Sequence, residues 1–141
     1  MYEKIVVFAL LAALASTNVA VAEGALAVGI PEGNPAKGFK WDAYVSTPDA
    51  ATKAMDDCRK ARNPRAAAAC KLIATFNDQC VAITSNGEPT APVTAAGWAI
   101  ENDRVTAVNR ALAQCEAMRK GRGPSCRLDG PDSLLCDGNA Q

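Results

Sequence analysis

Histidine is absent from all 141 residues. That removes Ser-His and Cys-His nucleophilic catalysis outright, together with every zinc site that needs imidazole. No two cysteines stand in a CxxC arrangement, so thiolate-only zinc sites are disfavoured as well. Net charge is also missing, with 15 basic residues against 15 acidic ones. A neutral chain has no long-range field to steer it toward nucleic acid or anionic lipid. Aromatic residues are scarce at 5%, and none is interleaved with the basic runs, which argues against a base-stacking surface. Alanine supplies much of the 49% hydrophobic fraction, and each alanine buries little area. A core of methyl groups is thin for this length and needs reinforcement.

One apolar run is present, and it stands at the start. Ile5 to Ala15 is uninterrupted, yet too short for a membrane span of about 20 residues. Lys4 precedes it, and Ala20-Val21-Ala22 follows the small-x-small rule for cleavage. Residues 1–22 therefore read as a signal peptide, with the mature chain starting at Glu23. The remaining 119 residues suit a single domain over 23–136 followed by a flexible tail at 137–141. No later stretch is long and apolar enough to cross a membrane. All six cysteines lie beyond the cleavage site, and their number is even. Export to the periplasm or beyond the cell exposes them to oxidising conditions, so structural disulfides are expected.

The cysteines belong to a unit that occurs twice. Trp41 precedes Cys58 by 17 positions, and Trp98 precedes Cys115 by the same 17. Cys58, Cys70 and Cys80 are answered by Cys115, Cys126 and Cys136. A period near 57 residues implies two copies of one supersecondary unit, 23–79 and 80–136.

Within the first copy, Gly24–Gly29 reads as a strand and Ile30–Pro35 as a turn-rich loop. Phe39–Val45 returns as the half-buried hairpin partner. Thr47 and Pro48 mark the N-cap and first position of a helix whose apolar face is Ala51, Ala54, Met55 and Cys58. Asn63-Pro64 is its stop. Cys70–Phe76 is a third strand. The second copy repeats the order: strand Val81–Thr84, loop 85–92, strand Ala96–Ile100, then a helix capped by Asp103. That helix carries Val108, Ala111, Leu112 and Cys115 on one face, and Cys126–Leu128 is extended again. The expected fold is α+β, two tandem ββαβ repeats related by a pseudo-twofold axis. They share an antiparallel sheet with two packed helices, stabilised by disulfides. Sequence alone leaves 15 pairings open. The repeat favours Cys58–Cys70 and Cys115–Cys126 across short helix-to-strand loops, and Cys80–Cys136 between the copies.

Gly24-Ala25-Leu26-Ala27-Val28, Ala54-x-x-x-Cys58, the Cys70–Phe76 strand, Cys80-Val81-Ala82, Gly97-Trp98-Ala99 and Ala111-Leu112-x-x-Cys115 form a further pattern. With these motifs the chain resembles the bacterial family catalogued as domain of unknown function 4189, over nearly everything after the leader. The resemblance implies a small exported α+β domain. It supplies no catalytic residues.

The candidate sites are few. Asp56-Asp57 point in different directions on a helix and make no working pair. Glu101 and Asp103 read as a solvated strand end and an N-cap. Asp129, Asp132 and Asp137 lack the alternation of a calcium loop. The basic runs Arg59-Lys60-x-Arg62-x-x-Arg65 and Arg119-Lys120-x-Arg122 fall at helix C-termini, where cations oppose the dipole. Trp41 and Trp98 read as core or interface packing. The expectation is a non-enzymatic, exported interaction module of inhibitor, immunity or effector type, without catalytic residues, metal or other cofactor. Its partner would be a protein in the periplasm or outside the cell, not nucleic acid. Its candidate partner-binding loops are 29–38, with Glu32 and Asn34, and 85–95, with Asn86 and Glu88. The alternative is a small cell-wall-directed hydrolase using two carboxylates, which glycoside chemistry places about 5–9.5 Å apart.

Overall fold

The computed structural model describes residues 22–141, and the leader expected over 1–22 lies outside them apart from Ala22. Strand β1 (Gly24–Gly29) is the centre of a first antiparallel sheet, flanked by β2 (Lys40–Tyr44) and β3 (Cys70–Phe76). Strand β4 (Cys80–Ser85) is the centre of a second. On one side it pairs β5 (Ala96–Glu101). On the other it pairs two short strands, β6 (Arg127–Leu128) near one end and β7 (Leu134–Cys136) near the other. Helix α1 (Ala50–Cys58) lies between β2 and β3 in the chain, and α3 (Arg104–Arg119) between β5 and β6. A short helix α2 (Pro64–Ala68) precedes β3.

One shared sheet was the expectation, and two are present. The reason lies in the central strands. β1 and β4 are each hydrogen-bonded along both edges, so neither has an edge left to offer the other. The sheets meet face to face instead. Leu26 and Val28 from β1, Phe76 from β3, and Val81 and Ile83 from β4 form one buried cluster, with Trp41, Trp98 and Ile100 packed on it. The opposite faces carry the helices. Ala25 and Ala27 meet Ala50, Ala54 and Cys58 of α1, while Cys80 and Ala82 meet Ala107 and Ala111 of α3. The order through the molecule is helix, sheet, sheet, helix.

Strand periodicity sorts side chains by size between these layers. Alternate residues of β1 and β4 face opposite ways, so leucine, valine and isoleucine fill the space between the sheets. Alanine faces the helices and lets them approach closely. Gly97 is the extreme case: a Cβ there would stand 2.1 Å from the Ala111 carbonyl oxygen. The buried Thr84 hydroxyl donates to that same oxygen at 2.8 Å, tying β4 to α3. The alanine content is thus a spacing device as well as a thin core.

Two helix ends differ from the sequence pattern. Helix α1 starts at Ala50 rather than at Pro48, because the Ala50 N–H bonds to the Thr47 carbonyl and Pro48-Asp49 form a turn. Asn63-Pro64 begins α2 instead of stopping α1. The Asn63 side chain accepts from the Arg65 and Ala66 N–H groups, and Pro64 occupies the first helical position.

Three disulfides join Cys58 to Cys70, Cys80 to Cys136, and Cys115 to Cys126. The two local links connect the ends of α1 and α3 to the following strand or extended segment. Cys80 and Cys136 are direct cross-strand neighbours of β4 and β7, with Cα atoms 4.0 Å apart. That pairing is internal to the second sheet rather than a bridge between halves. Residues 137–141, expected as a flexible tail, lie against the body. Asp137 is buried and accepts from the Ser46 and Asp78 N–H groups, and the Gln141 carbonyl accepts from the Arg104 N–H.

Candidate functional site

Both long hairpin loops emerge at one end of the sandwich. They leave the C-terminal ends of β1 and β4, and those ends are tied together. The Trp41 indole N–H donates to Asp129 Oδ2 at 2.5 Å, and the Ser85 hydroxyl donates to Asp129 Oδ1. Trp98 lines a groove of about 220 Å³ with Ile30, Gly33, Lys71 and Ile73 from the other half. Each tryptophan is half-buried and spans the boundary between the sheets.

Loop 30–39 is built from two consecutive 3-10 turns, Pro31–Gly33 and Pro35–Lys37. Both prolines are buried and act as anchors. Between them Glu32 is exposed and lies in the left-handed region at φ 52°, ψ 28°. That conformation is uncommon for a residue with a Cβ. The Glu32 carboxylate pairs with Lys37 across the loop. Asn34 is exposed, yet its side chain is engaged locally, accepting from the Ala36 N–H at 3.0 Å. The Asn63 amide donates to the Lys37 carbonyl at 3.0 Å and fastens the loop to α2.

Loop 86–95 is organised differently. Asn86 is fully buried, so it offers nothing to a partner. Its Oδ1 accepts from the Thr94 and Ala95 N–H groups, and its Nδ2 donates to the Thr94 hydroxyl at 2.7 Å. It closes the base of the loop. The tip is a two-residue turn at Pro89-Thr90, framed by reciprocal backbone bonds between Glu88 and Ala91. Glu88 is exposed at this tip, 3.4 Å from Arg127.

The basic runs reach the same end, because α1 and α3 both point their C-termini toward it. Arg119 is structural: it pairs with Glu116 at 2.7 Å and donates to the Gly123 carbonyl at 2.9 Å. Glu116 is held below the usual carboxylate range, first by Arg119 and then by the Cys126 N–H. Lys60 pairs with Asp57 at 2.6 Å, which raises the ammonium pKa. Asp57 is lowered by Lys60 first and by the Tyr44 hydroxyl second, and Tyr44 is raised in turn by that bond. Among the described residues, Arg59, Arg62, Arg65 and Arg122 carry no ion pair.

The other carboxylates lie apart. Glu101 pairs with Arg110 at 2.7 Å, whereas Asp103 caps α3 through the Thr106 N–H at 2.8 Å. Asp129 bonds across the loop end and Asp137 at the opposite one, while Asp132 is exposed. The part-buried ties made by Asp129 and Asp137 reach 88 and 91 positions along the chain, beyond any local sequence pattern. Among the described residues no three His, Cys, Asp or Glu side chains converge as a metal site would require. No helix among them is long and apolar enough to cross a membrane.

No curated protein and no solved structure matches the chain. A family model, described as domain of unknown function DUF4189, does match, over residues 24–130. That span runs from the first residue of β1 through both hairpin loops and past β6, so the chain belongs to the DUF4189 family.

Proposed function

We propose that this chain is an exported, non-enzymatic protein-interaction module that presents loop 30–39 to a protein partner. The observation that carries this reading is Glu32, an exposed acidic residue in a left-handed conformation between two buried prolines. Such a conformation costs about 1–2 kcal/mol relative to the right-handed region. The prolines, the Lys37 ion pair and the Asn63 bond hold it before any partner arrives. A loop ordered in advance avoids the entropy that binding otherwise loses, the property an inhibitor-type loop needs. Export is supported by six cysteines joined in three bonds, which persist in oxidising compartments, and by the leader-like first residues.

The module is read as two ββαβ repeats about a pseudo-twofold axis. The support is a common strand order, a helix on each outer face, and a local disulfide at the end of each of those helices. Capture from periplasmic extract and culture medium tests the function. The native protein should retain a partner that a variant with Pro31–Lys37 replaced by a glycine-serine linker loses, with all disulfides intact. Equal capture by both proteins would exclude loop 30–39 as the binding element.

A further inference from the structure

Beside loop 30–39 a second feature is unassigned. The C-terminal end of α1 and the start of β2 enclose a cleft of about 370 Å³, lined by Phe39, Lys40, Lys60, Ala61, Arg62 and Asn63. Its charge is lopsided. Lys40 and Lys60 are balanced by Asp42 and Asp57 at 2.8 and 2.6 Å. Arg62 has no acidic partner among the described residues, nor do Arg59 and Arg65 nearby in the chain. The Phe39 ring and Ala61 supply apolar walls. The Asn63 side chain is spent on the Lys37 carbonyl and on capping α2, so the guanidinium is the cleft's uncommitted donor group.

We propose that this cleft receives the carboxylate side chains of an acidic segment on the protein partner, with Arg62 as the binding residue and Lys40 and Lys60 as flanking charges. The proposal rests on the reading of the chain as a protein-interaction module. A guanidinium presents a planar fork that matches a carboxylate, and the apolar walls suit the aliphatic stem of glutamate. The cleft's size is near the lower limit of small-ligand sites, enough for one or two side chains. It also continues the loop surface, since Phe39 and Lys40 join loop 30–39 to β2. A partner seated on the loop therefore covers the cleft.

The corresponding place in the second half serves as an internal control. There a cleft of about 340 Å³ is lined by Thr94, Met118, Arg119, Arg122 and Gly123. Arg119 is already committed to Glu116 and Gly123, and no lysine lines that cleft.

The test uses the purified full-length mature protein, labelled with ¹⁵N, and an acetylated hexaglutamate peptide followed by NMR. Saturable shifts should centre on Lys40, Lys60, Ala61 and the Arg62 side-chain Nε–H. A hexaglutamine peptide should give none. Arg62→Ser should weaken binding about tenfold, the loss expected for one charge-assisted hydrogen bond. Lys60→Ser/Arg62→Ser should abolish it, and Arg122→Ser should leave it unchanged; all three residues are exposed, and retained signal dispersion verifies each fold. Shifts spread equally over Lys71 and Arg122 would overturn the proposal, as would full binding by the double variant. Saturation of the cleft by inorganic phosphate at lower concentration than the peptide would also overturn it, assigning the site to a free oxyanion. Undiminished partner capture by the loop variant with peptide binding retained would fault loop 30–39 and leave the cleft standing.

Discussion

At the residue scale, Gly97 and Asp103 separate what local sequence can carry from what it cannot. Asp103 is legible as a cap because an acid stands immediately before an apolar periodic run, and the Thr106 N–H completes the bond. Gly97 is visible as a glycine in a strand, but its reason is the backbone of α3 crossing it, 14 residues later at Ala111. Gly97→Ala would force β5 and α3 apart and should cost about 3 kcal/mol or more, read as a lower urea midpoint with an unchanged slope. The caps also set the acid limb of stability. The Asp103 carboxylate lies below its ordinary pKa, through the Thr106 N–H first and its hydroxyl second, and Glu116 is lowered by Arg119. Depressed folded-state values mean that this stabilisation is complete above the ordinary carboxylate range. It disappears as pH falls through the lower, folded values. The melting temperature should therefore be flat from neutrality to about pH 5 and fall below about pH 4, and Asp103→Asn should make that fall shallower.

Among the elements, strands were the most readable because turn residues bound them and periodicity fills them. β1 and β3 fall where alternation and cysteine spacing place them. Helix α2 was concealed, since Asn-Pro has the same appearance whether it stops one helix or caps the next. β7 was missed because Leu134-Leu135-Cys136 is too short to show a period. The disulfide pairs were legible from the duplicated spacing, although Cys80–Cys136 turned out to be a cross-strand link within one sheet. Their contributions should differ with the length of chain each encloses. Cys58–Cys70 and Cys115–Cys126 span 12 and 11 positions, whereas Cys80–Cys136 spans 56. In the chain-entropy model, paired serine substitutions should cost about 3 kcal/mol for either local link and about 4 kcal/mol for the long one. Urea unfolding of the three double variants gives that ranking directly.

For the whole molecule, the decisive event is the meeting of two inner faces. Leu26, Val28 and Phe76 on one sheet have no cover except Val81, Ile83 and their neighbours on the other. A fragment ending at Gln79 keeps its own disulfide but exposes that entire face. It should show poor amide dispersion alone and gain structure when the complementary fragment 80–141 is added, as ¹⁵N spectra would report. The repeated cysteine spacing is visible in the sequence, whereas the face-to-face arrangement of the sheets is not. Repeated spacing fixes which residues correspond and says nothing of whether central strands pair edge to edge. The loop end is similar: Glu32 and Glu88 could be named in advance, but the burial of Asn86 depends on Thr94 and Ala95 folding back over it.

Cys136 follows Cys80 by 56 positions, and Asp137 beside it bonds to Ser46 and Asp78. A polypeptide growing from its N-terminus can complete the first sheet and its sulfur link early. Cys80, in contrast, has no partner until Cys136 has been made, 56 positions later. A product interrupted between the two would thus carry one unpaired thiol, a chemical mark supplied by the order of the chain.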